Sequence, residues 1–117
     1  MPAERGDRVT PPARPGGWDA RFATSEAAKG WEDLCRSARS NTWEARIVLT
    51  ERPEDPENPA RQHRLRGPFA KRAVGGRDLP QWQYEVTAGG RIWYCPDSVN
   101  RVVWVVFAGS GHPKETE

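Results

Sequence analysis

Apolar positions along the chain follow two periods. From Trp18 to Phe22, Trp18, Ala20 and Phe22 alternate with Asp19 and Arg21, the period of a half-buried strand suited to a sheet edge. Thr24 or Ser25 can then cap a helix, with Glu26 in its first turn, where the helix dipole favours an anion. Ala27, Trp31, Leu34 and Ala38 follow at helical spacing and predict one buried face. A second helix is expected from Asn41, capped by its side chain with Glu44 reaching back, and turned inward through Trp43, Ile47, Val48 and Thr50. Pro53 ends it, and the two helices are expected to form an antiparallel hairpin.

The period of two returns in the second half. Pro53, Pro56 and Pro59 recur every three residues, the repeat of a polyproline II helix, and predict a stiff connector. A short strand is expected around Leu65, then a flexible basic loop over PFAKRAVGGRDLP. Trp82, Tyr84 and Val86 alternate with Gln83 and Glu85; Gly89 and Gly90 suit a tight hairpin turn, and RIWYC returns. After a turn at PDSVN, Val102–Ala108 is apolar on both faces, which predicts a central strand whose second face is also covered. The order predicts an α+β domain: an N-terminal strand, a two-helix hairpin, and an antiparallel twisted sheet of three to four strands with the helices on one face.

Composition narrows this to one domain. The chain has 117 residues, room for a single modest core, and its six tryptophans supply core area that a disordered chain lacks. Residues 1–17 are rich in Pro and Gly and read as a flexible arm, 18–114 as the domain and 115–117 as a tail. Cys35 and Cys95 lack metal spacing and read as reduced thiols. With no signal-like or membrane-spanning run, a cytoplasmic protein without a membrane partner is expected. The net charge of +2 proposes no partner, but between Arg61 and Arg77 lie six cations, His63 and no acid. That segment could attract phosphates. Because 15 of the 18 cations are arginine, beside an excess of Ala, Gly and Pro, part of this basicity reads as codon bias and the segment as a solvated loop.

The element order, with HRLRG, WQYEVTAGGRIWY and the final VVWVVFAGSGHPKE, resembles the RelE/ParE toxin superfamily of bacterial toxin–antitoxin pairs, nearest its RelE/YoeB-like branch. The resemblance runs from about Trp18 to Lys114. It implies a ribosome-dependent mRNA endonuclease, neutralised by a cognate antitoxin protein, that needs no metal or other cofactor. In that chemistry the ribose 2′-hydroxyl attacks the adjacent phosphate. By position, His63 falls where that branch carries a carboxylate base, Arg91 on its phosphate-binding arginine and His112 near its C-terminal acid. Imidazoles titrate near neutral pH and a guanidinium can hold phosphate oxygens in pairs. Arg64, Arg66, Lys71, Arg72, Arg77 and Lys114 are the corresponding RNA-binding candidates.

Other readings stay open. His63 also reads as a solvent-facing strand residue, Arg91 as the partner of Asp97, and His112 with Lys114 as a terminal tail. Tyr84 and Glu85 stand where many active members carry basic residues, which keeps a ParE-like gyrase inhibitor, or an inactive member acting by binding only, as the alternative. The sequence leaves homo-oligomerisation open.

Overall fold

The computed structural model describes residues 2–9 and 14–111. The chain runs β1 (Asp19–Phe22), α1 (Ser25–Ser37), α2 (Arg39–Glu51), β2 (Gln62–Arg64), a short 3-10 turn (Gly67–Phe69), β3 (Lys71–Val74), β4 (Arg77–Pro80), β5 (Trp82–Glu85), β6 (Gly90–Asp97) and β7 (Val102–Ser110). It is an α+β fold with two sheets. The larger has five strands in the order β1-β7-β6-β5-β2, and the smaller is the β3-β4 hairpin. In the larger sheet β2, β5, β6 and β7 are the expected four antiparallel strands, and β1 adds to β7 in parallel, so the whole sheet has five strands and is mixed.

The helices follow their local signals only in part. The Thr24 side chain accepts from the Ala27 amide at 2.9 Å and caps α1, which buries Ala27, Ala28, Trp31 and Leu34. The start of α2 is not capped by Asn41. Ala38 is its N-cap and makes no side-chain cap, while Asn41 Nδ2 donates instead to the Val86 carbonyl, tying the helix to the β5-β6 turn. Thr42, Ala45, Val48, Leu49 and Thr50 form the buried face, one step round from the expected one. Trp43 is therefore 51% exposed, its ring under the Arg46 guanidinium at 4.5 Å. Trp18 is buried beneath Arg101, which also holds the Gly16 carbonyl.

Three segments differ from expectation. In the described part of the N-terminal arm, Val9 is 1% exposed and donates to Ala20 O, while Phe22 donates to Asp7 O, so residues 6–9 cover the free edge of β1. The proline-rich connector is a series of turns, not a polyproline II rod, and Asn58 O accepts from both Arg61 and Gln62. Tyr94 Oη donates to Pro53 O and accepts from Gln62 Nε2, which fastens the connector to the sheet.

The supposed basic loop is the largest correction. It forms the β3-β4 hairpin, with Val74 opposite Arg77 across Gly75 and Gly76. Both glycines have positive φ, 60° and 81°, as a two-residue hairpin turn needs. Gly89 and Gly90, assigned that role from sequence, have no positive φ; there the Thr87 hydroxyl accepts from the Gly90 amide.

This hairpin explains the doubly apolar β7. One face of the sheet packs Val103, Val105 and Ala108 with the helices in the main core. The other carries Trp93, Cys95 and Val106, against which Leu79, Phe69 and Val74 of the hairpin region are packed. A bulge opposite Trp93/Tyr94 lets Val106 and Phe107 both join this second core. Cys35 and Cys95 are free thiols; burial pushes Cys95 up to about 12 against the opposing charge of Arg72.

Candidate functional site

Strand alternation sorts the candidates before any side chain is considered. Trp82, Tyr84 and Val86 point into the helix-side core, so Gln83 and Glu85 occupy the opposite face. Antiparallel partners share a face, and His63 is opposite Gln83 while Arg91 is opposite Glu85. His63 and Arg91 therefore lie on the same face of the sheet, separated by β5. Two strands across and two residues along puts their Cα atoms about 11–12 Å apart.

Glu85 lies between them in register. It is the direct cross-strand partner of Arg91 and a diagonal neighbour of His63. His63, Gln83, Glu85 and Arg91 are half-buried, whereas Trp93 and Cys95 farther along the same face lie under the hairpin. Beside Arg91 on β7 is Gly109, where an added Cβ would meet nothing nearer than Phe107 Cζ at 3.7 Å. The site thus has an aromatic wall of Phe69, Trp93 and Phe107, an open end at Gly109, and polar groups between.

Two polar contacts fix this face. His63 Nδ1 lies 3.2 Å from the Pro59 carbonyl. A carbonyl oxygen only accepts, so Nδ1 carries the hydrogen and Nε2 is the nitrogen left for proton exchange. Trp93 Nε1 donates to Gln83 Oε1 at 2.8 Å, which leaves the Gln83 amide NH₂ for another acceptor.

The basic candidates divide by role. Arg64, Arg66 and Lys71 are exposed, and Arg64 Nη2 reaches Ala70 O beside Lys71. Arg72 shares the sheet-facing side of the hairpin with Leu79, its charge acting on the Cys95 thiol. Arg77 is bound to Asp97 at 2.8 Å, and it takes the place that the alternative reading gave to Arg91. Burial tends to raise the Asp97 pKa, but hydrogen bonds from Asn100 and the charge of Arg77 prevail and hold the carboxyl below its ordinary value. Arg61 is committed to structure, donating to the carbonyls of Glu85 and Val86 and lying over the Tyr84 ring. His112 and Lys114 lie outside the described residues.

Sequence reasoning named Glu85 only as an acid at a usually basic position and did not place it between His63 and Arg91. The signal was present in the alternation of WQYEV and in the count back across the turn from Arg91. A groove of about 320 Å³ between α2 and the β2-β5 edge, floored by Val48 and Tyr84, contains none of the predicted site residues. Among the described residues no group of three or more His, Cys, Asp or Glu could hold a metal ion. No helix among them is long and apolar enough to cross a membrane. Compared with protein-family models and with curated proteins, the chain matches none.

Proposed function

We propose that this protein is the toxin of a toxin–antitoxin pair, an mRNA endonuclease of RelE/YoeB type that acts on the ribosome through the RNA 2′-hydroxyl. The observation that carries the reading is the strand register that brings His63 and Arg91 to one open sheet face. An imidazole can exchange a proton near neutral pH, and a guanidinium can hold the phosphate whose charge grows during the attack. Arg64, Arg66 and Lys71, exposed around the start of the hairpin, supply a surface for flanking phosphates. On this reading the ribosome fixes the scissile phosphate in line, so free RNA is a poor substrate. His112 would act as the acid from the C-terminal segment. Induction in a bacterial host, followed by primer extension on a translated mRNA, tests the reading. Growth arrest with new cuts at ribosome-positioned codons is expected; arrest without them removes it.

A second reading, inhibition by binding alone in the manner of a ParE-like gyrase poison, is favoured by one observation. Glu85, an anion, stands directly opposite Arg91, where a phosphate would sit. Supercoiling by purified gyrase in the presence of the protein separates the two readings.

A further inference from the structure

Another cavity opens at the tip of the β3-β4 hairpin, between the hairpin, the N-terminal arm and β7. Its volume of about 480 Å³ is within the range of small-ligand sites. We propose that it binds a nucleotide unit, free or as one residue of an RNA strand, with the base stacked on Trp104, an amino group of the base donating to Asp97, and the phosphate held by Arg5 and Arg77. Binding there is independent of whether the protein cuts RNA.

Register brings the parts together. Trp104 is opposite Cys95, so its indole lies on the hairpin side of the sheet, where it is only half-buried. Val74 and Arg77 are paired next to the Gly75-Gly76 turn, and strand alternation puts both on the side of the hairpin that Leu79 turns toward the sheet. The arm closes the remaining side. Gly6 donates to the Phe22 carbonyl and accepts from Arg21 Nη1, which anchors the neighbouring Arg5 at the rim.

Burial grades the charges from inside to outside. Asp97 is 4% exposed, whereas the Arg77 side chain is 48% exposed and Arg5 is open to solvent. A phosphate therefore meets the two guanidinium groups at the rim and stays clear of the carboxylate, while an uncharged ring can pass inward. Among the described residues, Asp97 Oδ2 accepts from Arg77 and from the Asn100 side chain, and Oδ1 has only the 3.3 Å bond from the Asn100 amide. A carboxylate oxygen can take two donors, so Oδ1 is open to a further N–H. Adenine, cytosine and guanine carry an exocyclic amino group that can supply it, and uracil does not. Only Nη1 of Arg77 is engaged and Arg5 makes no ion pair among the described residues, so both keep N–H groups for phosphate oxygens. The indole of Trp104, with Val74 and Ala23, gives the ring its apolar contact.

The test titrates the full isotope-labelled chain with AMP and follows the indole N–H signals, that of Trp104 being the one missing from Trp104→Phe. A saturable shift of the Trp104 signal is expected. Affinities come from equilibrium dialysis. Trp104→Leu, Arg5→Ala, and UMP in place of AMP are each expected to weaken binding about tenfold. A short RNA with one adenosine among uridines separates the two sources. If it shifts the Trp104 signal and binds more tightly than AMP, the ligand is a strand; if it does not bind more tightly, the ligand is the free nucleotide, and either result supports the site. The proposal is overturned if neither AMP nor the RNA moves the Trp104 signal, or if inorganic phosphate moves it with the same affinity as AMP. Equal affinity for UMP and AMP, or undiminished AMP binding by Arg5→Ala, overturns it as well. Arg5 is exposed, so that variant and the UMP comparison decide the matter even if Trp104→Leu does not fold.

Discussion

Gly30 is the tightest point in the packing of α1 on the sheet, and Gly30→Ala offers a quantitative test of that contact. A Cβ at this position would press into the Ala108 carbonyl of β7, with the carbonyl carbon at 2.8 Å and the Cα at 3.6 Å. Carbon atoms prefer separations of about 3.5–4.0 Å, so helix and strand would have to part by about 1 Å. The obstacle is backbone in a central strand, and no side-chain rotation relieves it.

Such a gap forfeits about a quarter to a half of each affected contact. Trp31 and Leu34 lie on the same buried face of α1, each contributing about 2–3 kcal/mol by burial, with smaller amounts from Ala27 and Ala28. The packing loss is then about 2–3 kcal/mol, and residual strain adds about 1–2 kcal/mol. The better helix propensity of alanine returns about 1 kcal/mol. A net destabilisation of about 2–4 kcal/mol is expected. Urea unfolding monitored by tryptophan fluorescence measures it, with Gly89→Ala as the matched control. An added Cβ at Gly89 meets nothing within 4 Å and φ is not positive there. A Gly30→Ala variant within about 0.5 kcal/mol of wild type, at unchanged m-value, would refute the packing argument.

Two further predictions concern the second core. Leu79→Ala removes the hairpin's most buried apolar side chain, and a loss of about 2–4 kcal/mol is expected, together with faster proteolytic nicking at the Gly75-Gly76 turn; equal nicking rates in both proteins count against a docked hairpin. Asp97 has a folded-state pKa below its unfolded value, so its contribution to stability is present above the unfolded pKa and is lost as pH falls through the folded one. Denaturation series from neutral pH to about pH 3 should therefore show a shallower acid-side loss for Asp97→Asn than for wild type. The variant should also be less stable at neutral pH, because Arg77 and Asn100 lose their anionic partner.

What could be read from the chain by itself was local. Alternation located β1 and β5, the return from the turn located β6, the Thr24 cap and helical spacing located α1, and the run of Val102–Ala108, apolar on both faces, located β7 and required cover on both sides. The same sequence did not say what the cover was. A segment with two glycines, two prolines and several cations looks like a loop, since its few apolar residues, Phe69, Val74 and Leu79, are too sparse to bury anything until the sheet meets them. The parallel pairing of β1 with β7 joins residues more than 80 positions apart and leaves no local trace. Trp43 was misplaced because a buried face one step round the helix, through Ala45 and Leu49, fits against the sheet and leaves the larger ring to solvent. Glu85 read in sequence as a charge in the wrong place. Only the register of β5 between β2 and β6 makes it the neighbour of both His63 and Arg91, because faces and neighbours in a sheet are set by pairing and not by proximity along the chain.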